Sequence, residues 1–133
     1  MLKLTITSFS YRSGIPEDKN GNGGGYVFDC RLLHNPGRYD EFLNLTGKDP
    51  EVMDFLKKNS EADKFIKDVK RIIYRSITAY KRNNYTNLMI NFGCTGGRHR
   101  SVYCAERIAN RLMYESGIEV ELIHTELEKE NKQ

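Results

Sequence analysis

The feature that most restricts the fold of this chain is a short apolar run that leads through a glycine-rich turn into an amphipathic stretch. The run Leu88 to Phe92 is followed by the turn Gly93 to Ser101, and apolar residues then recur at helical spacing up to Met113. A short apolar run bounded in this way is typical of a strand that is buried on both faces. We therefore predict a strand over Leu88 to Phe92 and a helix over Arg98 to Ser116, which together form the repeating unit of an α/β sheet.

The remaining elements follow from alternation, helical spacing and capping residues. Alternating or short apolar stretches predict strands over Leu2 to Phe9, Tyr26 to Cys30 and Ile118 to His124. Helix starts at Asp49 and Ser60 predict one helix to about Lys58 and another to about Arg82. This order predicts an α/β domain with a small, mostly parallel sheet, a mixed sheet being the alternative, and with helices packed on its faces. We expect a single domain over residues 1–133.

Two segments are not expected to belong to the packed layers. Residues 17–25 are rich in glycine and predict a flexible loop, and residues 125–133 predict a tail that is either disordered or helical. The chain has no apolar run of about 18 residues and no charged-then-apolar leader, and its cysteines are expected to be free thiols. These observations predict a cytoplasmic protein that does not enter a membrane. The net charge of +3 does not by itself indicate a nucleic-acid partner.

The turn from Gly93 to Ser101 combines glycines with cationic side chains at a helix start. The first N–H groups of a helix have no partner within the helix, and the helix dipole adds positive potential at the same place. Gly96 and Gly97 let backbone N–H groups approach a ligand, and the guanidinium groups of Arg98 and Arg100 suit phosphate oxygens. We therefore predict an anion site, with phosphate as the first ligand to consider, formed by Cys94, Thr95, Gly96, Gly97, Arg98, His99, Arg100 and Ser101.

The segments after the first two strands are expected at the same rim as this turn. Ligands of parallel sheets bind beyond the carboxyl ends of the strands, where residues 10–16 and 31–37 should also lie. Their polar side chains add further candidates for ligand contact, namely Arg12, Asp29, Arg31, His34 and Asn35. Together with the turn they predict a cationic pocket for a phosphorylated small molecule.

The same turn is compatible with catalysis. Residues 94–101 satisfy CxxGxxR[ST], the spacing with which cysteine-dependent phosphatases hold a phosphate above a thiolate. In that hypothesis Cys94 attacks phosphorus and Arg100 holds the phosphate oxygens. Gly93 stands where those enzymes have a histidine, and the general acid would have to come from Asp18, Asp29 or another loop. We favour a non-catalytic site and keep the phosphatase as the alternative.

A metal ion is a further candidate ligand for these residues. Cys94, His99 and Cys104 would need His34 or His124 as a fourth ligand, and their spacing matches no common closed zinc site. We predict neither a metal nor any other cofactor.

Four segments of the chain carry a specific pattern, namely Ser8–Pro16, Val27–Pro36, Leu45–Gly47 and Gly93–Val102. They resemble the C-terminal domain of the RapZ family of RNase adapter proteins. The resemblance implies an α/β domain that binds a phosphorylated metabolite without catalysis and that forms a homodimer or a higher oligomer. It also implies a regulatory function in amino-sugar synthesis, exerted through small RNA and a ribonuclease, and therefore an amino-sugar phosphate as a ligand.

The chain departs from that family in three respects. It contains no GxxxxGK[ST] motif, so the nucleotide binding of the family's N-terminal P-loop domain is not expected of it. Its loop at residues 17–25 is longer and richer in glycine. The residues after His124 are acidic on balance, where relatives carry basic ones, and an acidic segment repels RNA. The remaining candidate for RNA contact is the cationic face of the second helix, with Lys64, Lys67, Arg71 and Arg75.

Overall fold

The computed structural model describes residues 1–131 as four strands and four α-helices. The strands are β1 (Leu2–Ser10), β2 (Tyr26–Asp29), β3 (Asn87–Cys94) and β4 (Ile118–His124). The helices are α1 (Pro50–Lys57), α2 (Ser60–Arg82), α3 (Arg100–Leu112) and α4 (Thr125–Asn131). Short 3₁₀ turns connect β2 to α1, at Cys30–Leu32, Pro36–Arg38 and Asp40–Phe42. The predicted tail at 125–133 is helical as far as residue 131, and its last two residues lie outside the described range.

The four strands form one parallel sheet in the order β2-β3-β1-β4. Cys94 of β3 pairs with Ser10 of β1, Gly93 pairs with Asp29 of β2, and β4 ends at His124 beside β1. The carboxyl ends of all four strands therefore meet at one edge of the sheet. Parallel strands need crossover connections, which α1 and α2 supply between β2 and β3 and α3 supplies between β3 and β4. The predicted α/β class is confirmed, with a sheet that is parallel throughout.

One face of the sheet carries the hydrophobic core. Successive side chains of a strand point to opposite faces, so the alternating apolar residues of β1 and β3 share this face. They are Leu2, Leu4, Ile6, Leu88, Ile90 and Phe92. Helices α1, α2 and α3 cover the face with buried stripes that include Val52, Leu56, Ile66, Ile73, Ile108 and Leu112. The same periodicities that predicted these elements therefore orient them around the core.

The opposite face of the sheet is more polar and is crossed by the segment between β1 and β2. Lys3 of β1 forms an ion pair with Glu121 of β4 at 2.7 Å on this face. The crossing backbone packs closely against β3, because a Cβ atom placed on Gly25 would overlap the carbonyl group of Met89. β3 is consequently buried on both faces along nearly its whole length, as its apolar sequence predicted.

The loop at residues 17–25 is organised around one carboxylate. Asp18 accepts hydrogen bonds from the backbone N–H groups of Asn20, Asn22 and Gly24, at 2.9, 3.1 and 3.2 Å. These bonds stabilise the charged carboxylate and lower the pKa of Asp18 below its ordinary value. The loop therefore has defined local structure, and its flexibility stays a prediction.

The boundaries of the β3–α3 unit differ from those predicted. β3 continues to Cys94, because its last residues still pair with β1. α3 begins at Arg100 instead of Arg98, since the carbonyl oxygen of Arg98 accepts a hydrogen bond from the Gly47 N–H group at 2.8 Å instead of from the next turn of a helix. α3 also ends earlier, at Leu112, where a turn leads towards β4. The longer turn before α3 is the part of the chain that shapes the candidate site.

Candidate functional site

A cavity of about 260 Å³ lies at the carboxyl edge of the sheet, where the predicted anion site was expected. It is lined by Arg12, Asn35, Gly37, Leu43, Cys94, Thr95, Gly96, Arg98, His99 and Arg100. Eight of these ten residues are among the ligand contacts that the sequence predicted, and three of them are arginines. The structure therefore gathers most of the predicted residues around one space.

Larger cavities lie elsewhere, and three of them border the 17–25 loop. One of about 410 Å³ is lined by asparagines and tyrosines such as Asn20, Asn84 and Tyr85, and it has no lysine or arginine in its lining. Size alone does not identify a functional site, since polar surface loops also enclose space. The smaller cavity is the candidate because it joins cationic side chains to the end of a parallel strand and the start of a helix.

The turn between β3 and α3 has a backbone shape that depends on glycine. Gly97 has φ +71°, and a Cβ atom there would lie 2.8 Å from the backbone nitrogen of Ser10. Gly96 differs, because a Cβ atom there would meet nothing within 4 Å. Gly97 is thus needed for the turn itself, whereas Gly96 leaves room beside the backbone for a ligand.

The backbone N–H groups of this turn are available to a ligand. Within residues 1–131, none of the N–H groups from Thr95 to His99 donates a hydrogen bond to a protein acceptor. His99 occupies the N-cap position of α3 without a side-chain capping bond, so the first turn of this thirteen-residue helix also lacks a cap. Such N–H groups and the helix dipole create positive potential at the cavity.

Arg100 is the most deeply placed cation of the cavity. It is only 5% exposed, and its Nη1 donates to the carbonyl oxygens of Arg31 and Leu33, both at 3.1 Å. Its Nη2 lies 3.5 Å from Thr95 Oγ1. Its Nε is the buried side-chain nitrogen that has no hydrogen-bond partner among the described residues. A buried donor without an acceptor is costly, and this one is closed to solvent.

Arg98 and His99 are tied to the segment between β2 and α1. Arg98 Nη1 donates to the carbonyl oxygen of Leu43 at 2.7 Å, and its Nε donates to Glu130 at 2.6 Å. His99 Nε2 donates to the carbonyl oxygen of Phe42 at 2.9 Å. Burial lowers the pKa of His99, and the neighbouring arginine charges lower it further against the opposing effect of the Phe42 bond. His99 is therefore a neutral donor near pH 7, not an additional positive charge.

Cys94 lies at the end of β3 and is held by Ser101. Its Sγ donates to Ser101 Oγ at 3.1 Å and accepts a hydrogen bond from the Ser101 N–H group at 3.4 Å. Cys94 is 2% exposed and Ser101 is fully buried, so the hydroxyl group of Ser101 supports the thiol and does not line the cavity. Cys30, Cys94 and Cys104 are all free and buried.

Five of the predicted contacts do not line the cavity, namely Gly97 and Ser101, which shape the turn, and Asp29, Arg31 and His34, which bind elsewhere. Asp29 and Arg31 satisfy each other through two hydrogen bonds, at 2.9 and 2.8 Å, and these bonds lower the pKa of Asp29. The Arg31 guanidinium also stacks over the ring of Tyr11, at 3.9 Å from its centroid. His34 points instead to an aromatic group, with its Nε2 at 2.9 Å from the hydroxyl of Tyr39. The 3₁₀ turn at Cys30–Leu32, which Asp29 caps, places the Arg31 side chain against the Asp29 carboxylate and not in the cavity.

Several residues that complete the site were not predicted from the sequence. Leu43 and Gly37 form part of the cavity wall, and Glu130 pairs with Arg98. Gly47 lies against α3, because a Cβ atom there would overlap the carbonyl oxygen of His99. The signal for Gly47 was present in the Leu45–Gly47 segment, whereas nothing in the sequence links Glu130 to Arg98.

The remaining candidates lie away from this cavity. Lys64, Lys67, Arg71 and Arg75 are exposed on α2, and Arg71 is 3.7 Å from Asp68 in an ion pair. Within residues 1–131 no group of three or more histidine, cysteine or acidic residues has the arrangement of a metal site. In the same range, no helix has both the length and the apolar character that a membrane crossing requires.

Comparison with known proteins adds a family to this geometry. A family model described as the RapZ C-terminal domain matches residues 2–128. A protein of Mannheimia succiniciproducens named nucleotide-binding protein is 37% identical over 131 residues, which are 98% of this chain and 43% of that protein. One of the same name from Thermotoga neapolitana is 38% identical over 128 residues, 96% of this chain and 43% of that protein. Another, from Nitrosomonas europaea, is 42% identical over 108 residues, 81% of this chain and 36% of that protein.

The chain therefore spans less than half the length of these relatives, while the family match covers nearly all of the chain. The matched range contains β1 to β4 and the whole turn from Cys94 to Ser101. This chain belongs to the RapZ C-terminal domain family.

Proposed function

We propose that the chain binds the phosphate group of a small phosphorylated metabolite at this cavity and does so without catalysis. The observation that carries the proposal is that one cavity joins the Arg100 guanidinium, which has no carboxylate partner within residues 1–131, to the free backbone N–H groups of residues 95–99. A phosphate group accepts hydrogen bonds from these N–H groups and pairs with the positive charge of Arg100.

Most of the positive charge of the site is not neutralised by the chain itself, since Arg98 alone of its three arginines forms an ion pair within residues 1–131, with Glu130. Among the residues that line the cavity three are arginines and none is acidic. The carbonyl oxygens that hold Arg100 are neutral, so its full charge remains available to an anion. The arrangement therefore favours a phosphate dianion over a neutral ligand.

The size of the cavity limits the organic part of the ligand. Its volume of about 260 Å³ is below the range of roughly 300–1,000 Å³ that is typical of pockets for drug-sized ligands. A single phosphosugar fits this size better than a dinucleotide does. Together with the family, this supports an amino-sugar phosphate, sensed by a domain that regulates a partner, as the specific ligand of the proposal.

The test is a titration of the intact chain with a panel of anions. Isothermal titration calorimetry should detect inorganic phosphate, sulfate and glucosamine 6-phosphate, and glucosamine should not bind because it lacks the anion. The variant Gly96→Val should keep the fold, because a Cβ atom at position 96 meets open space. Its side chain should occupy the part of the cavity where we propose that the anion binds. Loss of binding in this variant supports the site. Equal binding by the variant and the unchanged chain, or no binding of any anion at millimolar concentration, contradicts it.

The phosphatase alternative keeps one observation in its favour, which is the contact of Cys94 Sγ with the N–H and hydroxyl groups of Ser101. Within residues 1–131 no carboxyl group lines the cavity to act as a general acid, and Asp29 is engaged by Arg31. Cys94→Ser separates the two functions. If the site only binds phosphate, Cys94→Ser should change the Kd for phosphate by no more than about threefold. Neither the unchanged chain nor the variant should then hydrolyse a phosphomonoester. Hydrolysis of a phosphomonoester that disappears in the variant would establish the phosphatase instead.

RNA contact through α2 is a second proposal, supported by the exposure of Lys64, Lys67, Arg71 and Arg75 on one helix. Binding through phosphate contacts weakens with rising salt, so retardation of an RNA hairpin should fall between 50 and 200 mM salt, a range in which about three to four contacts cost at least tenfold. Replacing Lys67, Arg71 and Arg75 by glutamine should reduce this salt dependence. Binding that is indifferent to salt rejects the α2 surface. A cytoplasmic location and self-association stay predictions.

A further inference from the structure

We propose that Glu130 on α4 competes with the bound anion for Arg98, so that docking of α4 and binding of the anion oppose each other. This inference rests on the phosphate site proposed above and adds a residue that lowers the affinity of that site for the anion. Its basis is the set of contacts between residues 125–131 and the turn before α3.

Glu130 binds the same guanidinium that borders the cavity. Arg98 Nε donates to Glu130 Oε1 at 2.6 Å, while Arg98 Nη1 donates to the carbonyl oxygen of Leu43 at 2.7 Å. Two of the three guanidinium nitrogens are thus engaged by the protein. The side chains of Arg98 and Glu130 are 28% and 47% exposed, so solvent screens the pair and a phosphate can displace the carboxylate.

Another carboxylate of α4 reaches the turn itself. Glu126 accepts a hydrogen bond from Ser13 Oγ at 2.7 Å, and its Cγ would be 2.5 Å from a Cβ atom placed on Gly97. Lys129 neutralises part of this charge, since its Nζ lies 3.1 Å from Glu126 Oε1. Glu130 has no such lysine among the described residues and depends on Arg98 alone. Glu130 is therefore the carboxylate of α4 whose ion-pair partner within residues 1–131 is a cation of the cavity.

The attachment of α4 is weak enough for displacement. None of its seven residues is buried, and a helix of this length is not stable on its own. It is anchored by Thr125 Oγ1, which donates to the carbonyl oxygen of Ser8 at 2.9 Å, and by the contacts of Glu126 and Glu130. When an anion takes Arg98, one of these anchors is lost and α4 loosens. By reciprocity, a docked α4 lowers the affinity for the anion by the same factor.

The experiment compares Glu130→Gln with Glu128→Gln, which removes a carboxylate of the same helix that forms no ion pair within residues 1–131. Isothermal titration calorimetry at low ionic strength gives the Kd for inorganic phosphate and for glucosamine 6-phosphate. We expect Glu130→Gln to lower the Kd about two- to fivefold and Glu128→Gln to change it less than about 1.5-fold. Amide hydrogen exchange of residues 125–131 should become faster when phosphate saturates the unchanged chain.

Each outcome decides a separate point. An unchanged or higher Kd in Glu130→Gln, with binding intact in the unchanged chain, overturns the competition and leaves the phosphate site standing. A lower Kd without faster exchange in α4 supports competition for Arg98 and overturns the loosening of the helix. Binding by Glu130→Gln alone supports both proposals, because the carboxylate then blocks a functional site. Absence of phosphate binding in all three proteins overturns the phosphate site and this inference with it.

Discussion

Two segments at the carboxyl edge of the sheet carry similar side chains and arrange them differently. Residues 94–101 follow β3 and residues 29–35 follow β2, and each segment includes arginine and histidine. Arg100 in the first is 5% exposed and keeps a buried donor without a partner, whereas Arg31 in the second pairs with Asp29. The Arg31 guanidinium is thus held by a carboxylate of its own segment, whereas the Arg100 guanidinium meets no carboxylate among residues 1–131 and is available to a ligand.

The local backbone explains this difference. Arg31 follows Asp29 in a 3₁₀ turn, where the Asp29 carboxylate accepts both the backbone N–H and the guanidinium of Arg31. Arg100 begins α3, and its guanidinium meets neutral carbonyl oxygens of the neighbouring segment. The residues around Arg31 therefore help to build the wall that holds Arg100, which is a structural contribution to the site and not contact with the ligand.

The largest effect is expected on the free energy of unfolding, from a change in the backbone of residues 94–101. Gly97→Ala places a Cβ at φ +71° and at 2.8 Å from the Ser10 nitrogen, so it should lower the free energy of unfolding by about 2–3 kcal/mol. Gly96→Ala is the matched control and should cost less than about 0.5 kcal/mol, since its Cβ meets open space. Urea unfolding measures both. Equal losses of stability in Gly97→Ala and Gly96→Ala would show that the turn does not need a positive φ at Gly97.

The next effect compares the two arginines directly. Arg100→Lys keeps a positive charge but loses the planar fork and Nε, so the Kd for phosphate should rise at least about tenfold. Arg31→Lys should change the Kd less than about twofold, because the Arg31 side chain does not line the cavity. Calorimetric titration gives both values, and thermal unfolding shows whether each variant is folded. A similar loss in both variants would mean that the ligand extends to Arg31.

Much of this fold was predictable because its signals are local. The alternation in β1, the apolar run of β3 and the stripes of α2 and α3 report burial directly. The anion turn was predictable for the same reason, since glycines and arginines between a strand and a helix act through adjacent backbone N–H groups. The exact start of α3 was not, because it depends on a hydrogen bond from Gly47, a residue distant in sequence from the carbonyl group of Arg98.

The orientation of individual polar side chains was much less predictable. Strand order brought Asp29, Arg31 and His34 to the correct edge, but their neighbours in space decide where they point. His34 is drawn to Tyr39 and Phe55, and this contact depends on the packing of α1 and not on any pattern in the sequence. The pair of Arg98 with Glu130 has the same origin, since it forms only when α4 folds back over β1. Such contacts need the tertiary structure.

A smaller effect concerns pH and the neutral His99 of the first segment. Burial places the pKa of His99 below its ordinary 6.5 in the folded chain, so the unfolded chain binds more protons and stability falls as the pH falls from about 6.5 through the lowered value. His99→Gln retains a donor towards Phe42 and does not titrate. Between pH 7 and pH 5 the unchanged chain should lose more stability than this variant. Equal losses of stability in the two proteins, measured by urea unfolding, would show that folding does not lower the pKa of His99.

The smallest effect concerns Asp29. Its hydrogen bonds with the Arg31 side chain lower its pKa, against the opposing effect of burial. Its stabilisation is present above the ordinary pKa of 3.8 and is lost as the pH falls through the lowered value. Because the pair is about half exposed, Asp29→Asn should cost less than about 1 kcal/mol at pH 7, and the difference in urea unfolding should vanish at low pH. The freed Arg31 still stacks on Tyr11, so the Kd for phosphate should change less than about twofold. A marked gain in affinity would show instead that Asp29 alone keeps Arg31 from the ligand, and the second segment would then be a latent part of the site.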